Sequence, residues 1–298
     1  YNFMGDKMLL TEKLLNTKFS PSEKIIVDYM LKHKYDIKNK TIKEISKETF
    51  INPSTFIRIS KKLGYKGWNE LKEKYLNEIK YLDSNFENID ANIPFDKNDS
   101  YISISNKLGK LNEITIKDTL SLLSNDDLKN AVEILNSASD IKLFANNESI
   151  LISQDFALKM NRIKKYVSIC TVDGEQVFEA FNCRKNSCAI IISYSGETKR
   201  LLETIPILKK YNIPILAITS LGNNTLANNA NCVLRITTRE HLYSKISNFT
   251  SNNSICFILD ILYSCIFSKN FEKNLIHKIK VSKLVDPRTS KVKIIKEN

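Results

Sequence analysis

The chain lacks most of what would place it in a membrane or an oxidising compartment. Its 298 residues contain no uninterrupted apolar run of the ~18 residues that a spanning helix needs. The longest candidate, from Ile255 to Phe267, is too short and is broken by Asp260. Tyr1 to Leu10 lacks a basic start followed by an apolar core, so no secretory signal is expected. Cys170, Cys183, Cys188, Cys232, Cys256 and Cys265 stand apart with no C-x-x-C spacing. Several lie inside apolar runs, which predicts buried thiols in a reducing cytoplasm rather than disulfides or a zinc site. His33, His241 and His277 show no metal-ligand spacing, and neither a metal nor a cofactor is expected. Glycine numbers only seven, so one inside a motif points to a backbone requirement.

What is present is distributed unevenly. The net charge is +7 over residues 1–80, +6 over 269–298 and −1 over 81–268, which together give +12. Basic ends around a neutral middle suit a polyanion partner; a lysine-rich composition alone would not spare the middle. The length allows about two domains with sizeable cores.

The basic N-terminal region carries three successive helix starts. Ser20-Pro21-Ser22-Glu23 is a capping box with proline at the first helical position, followed by Ile25, Ile26, Tyr29 and Met30 at helical spacing. Thr41-Ile42-Lys43-Glu44 is a second box. Asn52-Pro53 opens a third helix, with Phe56, Ile59 and Leu63 on its buried face and Gly64 ending it. Two short helices separated by about three residues follow the helix-turn-helix plan, whose second helix enters the DNA major groove. Ser54, Thr55 and Arg58 are then the candidates for base contacts, with Lys61 and Lys62 for phosphates. The alternative is a generic three-helix domain with a solvated basic face. The block from Phe19 to Lys74 resembles the N-terminal domain of the RpiR family of bacterial transcription regulators, through Ser20 to Lys24, Ser54 to Arg58 and Lys61 to Trp68. The turn carries Phe50-Ile51 where that family usually has a glycine, so a differently shaped turn is expected.

Further along, the apolar run Cys188 to Ile192 leads into Ser193-Tyr194-Ser195-Gly196-Glu197-Thr198, and Leu201, Leu202, Ile205 and Leu208 then recur at helical spacing. A strand, a hydroxyl-rich turn and a helix start together make an anion site, in which backbone N–H groups, the helix dipole and three hydroxyls converge. The alternative is an ordinary turn capped by Ser195 or Thr198. Tyr194 would pack on a ligand or only lend its N–H. Other strands are expected at Ile141 to Ala145, Ile215 to Thr219 and Val233 to Ile236; helical patterns between them predict a parallel sheet covered on both faces. The S-x-S-G-x-T pattern looks like the phosphate loop of the SIS (sugar isomerase) domain, and residues 106–268 resemble that domain throughout. The resemblance implies a second sugar-phosphate loop at Ala145-Asn146-Asn147-Glu148-Ser149. It keeps the closing Ser149, which could instead be a helix N-cap, and replaces the family's glycines with Ala145 and Asn147. Glu240 lies where related isomerases place a proton-transfer glutamate; a solvent-exposed loop residue is expected.

The sequence therefore predicts an all-α helix-turn-helix domain over residues 1–82, a linker over 83–105, and an α/β SIS domain over 106–270. That domain should be a parallel sheet flanked by helices on both faces. A basic tail follows over 271–298, with Val292, Ile294 and Ile295 as a possible edge strand or flexible end. The expected function is a cytoplasmic, non-enzymatic transcription regulator. Its partners are operator DNA, a phosphorylated sugar and itself, as a homodimer or tetramer, with no membrane. The proposed sugar-phosphate site is Ser149, Ser193, Tyr194, Ser195, Gly196 and Thr198, with Asn147 and Glu240 as further contacts. A phosphosugar isomerase, and a regulator whose SIS domain only dimerises, are the alternatives.

Overall fold

A computed structural model describes residues 9–82, 89–289 and 292–295. Residues 83–88 of the expected linker, 290–291 and 296–298 of the expected tail, and residues 1–8 lie outside the described residues.

The N-terminal domain is helical: α1 (Leu10–Asn16), α2 (Pro21–His33), α3 (Ile42–Thr49), α4 (Pro53–Lys62) and α5 (Trp68–Leu82), with a 3-10 segment at Lys34–Asn39. Both expected capping boxes form. Ser20 and Glu23 cap each other at the start of α2, as do Thr41 and Glu44 at the start of α3. Asn52 Oδ1 accepts from the Ser54 amide at 3.0 Å and starts α4. The apolar faces meet in one core, where Ile26, Met30, Ile45, Phe56, Ile59 and Leu71 are fully buried. The Phe56 ring stands edge-on to Trp68 with centroids 4.7 Å apart. The Glu78 carboxylate of α5 accepts from the amides of Leu10 and Thr11 at 2.7 Å each, fixing the first turn of α1.

The C-terminal domain opens with α6 (Tyr101–Leu122) and α7 (Asn125–Ser137). Helix α6 starts at the Ser100 cap, inside the segment 83–105 expected to be linker. The α/β unit then runs β1 (Asp140–Phe144), α8 (Glu148–Asn161), β2 (Tyr166–Ile169), α9 (Gln176–Phe181) and β3 (Ser187–Ser193). It continues through α10 (Lys199–Leu202), α11 (Ile205–Lys210), β4 (Ile215–Ser220), α12 (Thr225–Asn229), β5 (Cys232–Ile236) and α13 (Phe249–Ser268). The sheet is wholly parallel in the order β2-β1-β3-β4-β5, one strand more than the sequence predicted. Every residue of β3 and β4 is buried, because helices cover both faces. α7, α8 and α13 pack on one side, and α9 to α12 on the other. The central strands therefore read as unbroken apolar runs. All six cysteines are free, and burial pushes the Cys188 thiol up to about 12.

The segment expected to be a basic tail is instead helical over α14 (Phe271–Val285), ending before Pro287 as that proline requires. No residue of α14 is buried. Residues Lys293–Ile295 form a 3-10 turn rather than an edge strand. No single described helix is long and apolar enough to cross a membrane.

Candidate functional site

The chain presents two candidate sites, one in each domain. In the helical head, α3, the turn Phe50 to Asn52 and α4 form the helix-turn-helix. Phe50, 94% exposed, takes the left-handed conformation itself (φ 56°, ψ 27°), so the turn fills that position without a glycine. That conformation costs a non-glycine residue about 1–2 kcal/mol. The outward face of α4 carries Ser54, Ile57, Arg58 and Lys61. Two expected DNA contacts are placed otherwise. Thr55 is only 2% exposed and accepts a hydrogen bond from Arg58 Nη2 at 3.1 Å, so it braces the arginine. The reason is helical spacing: Thr55 adjoins Phe56 and lies one turn before Ile59, on the core side. Lys62 is held by Glu23 at 2.9 Å and lies over the Phe19 ring, clipping α4 to α2. The Ser20 amide and the Lys62 ammonium hold the Glu23 carboxyl below its ordinary value. Ile57, absent from the sequence-based candidates, is 40% exposed between Ser54 and Arg58; an isolated surface isoleucine gave no signal until the helix face was fixed.

In the α/β domain, chain order reverses across the sheet between β1 and β3. Open parallel sheets bind ligands outside the carboxyl ends of their strands at such a switch point. Phe144 pairs with Ile191, so the segment 145–149 and the segment 193–198 leave the sheet side by side. Both predicted loops therefore lie together at the carboxyl edge of the sheet.

The second of these loops is tightly determined. Gly196 has φ +66°, and a Cβ there would lie 2.1 Å from the Asn224 side chain. Asn224 cannot withdraw cheaply: its Oδ1 caps α12 through the Ala227 amide at 2.9 Å, and its Nδ2 donates to Thr219 Oγ1 at 3.0 Å. The Ser193 hydroxyl is inside the loop, 2.9 Å from Thr198 Oγ1 and accepting from the Gly196 amide at 3.1 Å. These bonds make it part of the scaffold of the turn. Ser195 and Thr198 are half-buried. The Glu197 carboxylate accepts from the Thr225 amide and hydroxyl and is thereby occupied at the start of α12. The helix after the loop is short: α10 has four residues and α11 begins separately at Ile205. Its dipole is correspondingly small, so what the loop could offer an anion is chiefly its N–H groups and hydroxyls. Thr198 occupies the N-cap position without a side-chain cap bond, which leaves first-turn amides open.

On the β1 side, Asn147 occupies the helix-cap position at φ 49° and ψ −127°, backbone that favours glycine. Ser149 is the second residue of α8 rather than its cap. Glu148, at the first position, is exposed; its Oε2 accepts from Asn248 Nδ2 at 2.8 Å and Asn252 Nδ2 at 2.6 Å.

Glu240 is not the exposed loop residue that was expected. It is 7% exposed, and its carboxylate gathers the amides and hydroxyls of Thr250 and Ser251 together with Lys245 Nζ at 3.0 Å. Burial raises the Glu240 carboxyl, but the Ser251, Lys245 and Thr250 hydrogen bonds outweigh it and hold the group below 4.5. The Tyr194 hydroxyl donates to the Glu240 carbonyl at 2.7 Å and accepts from the Glu240 amide at 3.0 Å. Lys245 lies 5.3 Å from the Tyr194 ring centre. Tyr194 thus ties the anion loop to the segment 239–246.

A residue of the expected linker ties the same segment from its other side. Asn92 is 7% exposed. Its side chain accepts from the His241 amide at 2.7 Å and donates to the Arg239 carbonyl at 3.4 Å. Its own carbonyl accepts from the Ile246 amide at 2.9 Å. A lone asparagine in a polar stretch gave no sequence signal for this role. Among the described residues, no three His, Cys, Asp or Glu side chains form a group able to hold a metal ion.

Comparison with known proteins agrees with this architecture. The model of the helix-turn-helix domain of the rpiR family matches residues 8–80, and that of the SIS domain matches residues 134–264. An uncharacterised HTH-type transcriptional regulator of Caldanaerobacter subterraneus subsp. tengcongensis is 25% identical over 257 residues, spanning 86% of this chain and 89% of that protein. Among solved structures, the Vibrio vulnificus NanR protein complexed with ManNAc-6P aligns with a TM-score of 0.57 at 18% identity, covering 93% of this chain and 98% of that one. The sugar isomerase domain of an RpiR transcription factor from Sphaerobacter thermophilus aligns at 0.53 with 16% identity, covering 60% and 98%. At these identities the two structures share the fold.

Proposed function

We propose, for a chain that belongs to the rpiR family of helix-turn-helix transcription regulators and carries a SIS domain behind its DNA head, that the SIS crevice senses a phosphorylated sugar. The observation that carries this reading is the Gly196 loop. Its left-handed glycine, packed against a buried Asn224, holds Ser195 and Thr198 at the switch point beside the β1 loop. Such a loop recognises a phosphate with backbone N–H groups and hydroxyls. On the DNA side, Arg58 and Ser54 are suited to base edges, Lys61 to a phosphate and Ile57 to a thymine methyl group.

The reading is of a sensor rather than an isomerase. Glu240, the carboxylate in the region where isomerases move protons, is buried in five hydrogen bonds and anchors α13. It is occupied as a structural clamp and does not open onto a substrate.

The chain acts as a dimer in this proposal, since one helix-turn-helix covers only a half-site and two-fold symmetry matches a palindrome. In favour is α14, whose apolar side chains Phe271, Ile276, Ile279 and Leu284 are 46–77% exposed; Phe271 and Ile279 line, with Tyr263 and Phe267 of α13, a cavity of about 700 Å³.

Two measurements test the reading. Arg58→Ala should weaken operator binding by ~1–3 kcal/mol in a gel shift. Equal binding by variant and parent would overturn the recognition-helix assignment. A thermal-shift screen of hexose, pentose and amino-sugar phosphates should find a stabiliser, worth ~2.7 kcal/mol at a hundredfold excess over Kd. Ser195→Ala should remove that shift. If no phosphosugar stabilises the protein, the SIS domain serves only association. Conversion of a bound sugar to an isomer would instead make the protein an enzyme.

A further inference from the structure

We propose that Glu148 makes the crevice selective for a phosphorylated sugar bearing a free, protonated amine. The inference rests on the phosphosugar reading above and adds the chemical class of the ligand.

Glu148 is the first residue of α8, directly after the β1 loop and across the switch point from the Gly196 loop. Adjacent strands lie ~4.8 Å apart, so one sugar ring spans both strand ends. The carboxylate is held in place: Oε2 accepts from two amides of the α13 N-terminal turn, Asn248 at 2.8 Å and Asn252 at 2.6 Å. Among the described residues no donor reaches Oε1, which leaves one oxygen of a fixed, exposed carboxylate open. The two amides keep the Glu148 carboxyl below its ordinary value, so it stays ionised at neutral pH.

Two of the nearby cations are already committed to other carboxylates, and Lys199, exposed at the start of α10, stands on the anion-loop side. Lys245, whose charge reaches Glu148, is already paired with Glu240 at 3.0 Å. Arg200, near the anion loop, is paired with Asp173. A sugar phosphate without a cation would therefore bring a doubly charged anion beside the Glu148 carboxylate. An ammonium group on the sugar reverses that repulsion and gives Oε1 a charge-assisted donor. An N-acetyl group removes the charge, and a hydroxyl offers only a neutral donor.

The test is calorimetric titration of the full chain with three probes. These are a 2-amino-2-deoxyhexose 6-phosphate, its N-acetyl derivative and the parent hexose 6-phosphate, each as the gluco, manno and galacto epimers. The amine should bind about 10- to 100-fold more tightly than its hydroxyl counterpart, the factor that a hydrogen bond to a charged group supplies. Glu148→Gln keeps the shape and an oxygen for Asn248 and Asn252; it should bring the three probes within about threefold of one another without lowering the melting point. Two results overturn the proposal: a parent protein that binds the amine no better, or a variant that retains the preference. If no probe binds the parent, a hexose phosphate is excluded and this proposal falls with it, whereas binding without preference for the amine leaves the phosphosugar reading standing, which separates the two failures.

Discussion

Gly196→Ala is the sharpest test of how the anion loop is built. The new Cβ would lie 2.1 Å from both Cγ and Oδ1 of Asn224, far inside van der Waals contact, so one of the two must move. Holding alanine at φ +66° costs about 1–2 kcal/mol by itself. Displacing Asn224 sacrifices the cap of α12, worth ~1 kcal/mol, and strands buried partners at Ala227 and Thr219, at ~1–3 kcal/mol. The expected loss is about 3–6 kcal/mol, a large share of the ~5–15 kcal/mol that holds a typical domain. At ~2–4 °C per kcal/mol for a domain of this size, the melting point should fall by about 10 °C. Urea denaturation of the full chain, followed by circular dichroism, measures the free energy. Asn224→Ala on its own should also destabilise, but the double variant should be less unstable than the sum of the two singles by about 1–3 kcal/mol, because the overlap disappears. A single variant within ~1 kcal/mol of the parent, or strict additivity, would refute the packing argument.

Three other outcomes follow from the same geometry. Glu240→Gln should cost about 2–3 kcal/mol at pH 7, because the amide end cannot accept from Ser251 and Lys245. The folded-state carboxyl is held below 4.5, so its stabilisation is complete above that pH and is lost as the pH falls through the folded value; the gap between parent and variant should narrow in acid, and a constant gap would count against the clamp. Asn147→Gly should raise the urea midpoint by the equivalent of ~1 kcal/mol, since asparagine is strained at φ 49° and ψ −127°; an unchanged midpoint would mean the strain is relieved elsewhere. Removing residues 270–298 should leave the melting point of the remaining fold nearly unaltered, because α14 buries nothing, while light scattering reports loss of self-association; a dimer that survives truncation places its contact elsewhere.

The parts legible in the sequence are those written by local chemistry. The boxes Ser20 to Glu23 and Thr41 to Glu44 are self-contained, and each appears as read. The run Cys188 to Ile192 could only be a doubly covered strand or a core helix, and the Ser-Gly turn after it favoured the strand. What escaped depends on partners distant in the chain. Strand β2 is a four-residue edge with only Val167 buried, too short for a pattern. Thr55 and Lys62 are expected on the face opposite Phe56 and Ile59, but Thr55 falls on the core side and Glu23, distant in the chain, engages Lys62. Glu240 was read as exposed because its partners Thr250 and Ser251 are ordinary residues at the start of another helix. The helix α14 was obscured by its lysines, which solvate a segment that still alternates apolar positions.

Asn92 makes the anion loop and the approach to the DNA head two ends of one hydrogen-bonded run, through Arg239, His241, Glu240 and Tyr194. A movement of Tyr194 when the crevice fills must either carry Asn92 with it or break those bonds. A link of this kind acts in both directions with equal strength: if the sugar alters operator affinity by some factor, the operator alters sugar affinity by the same factor. On the proposed reading, the sugar concentration that elicits a response is then not a constant of the protein alone. It shifts with the number of operator copies that hold the head, so the same regulator answers at one threshold on a chromosome and at another when its operator is carried on a multicopy plasmid.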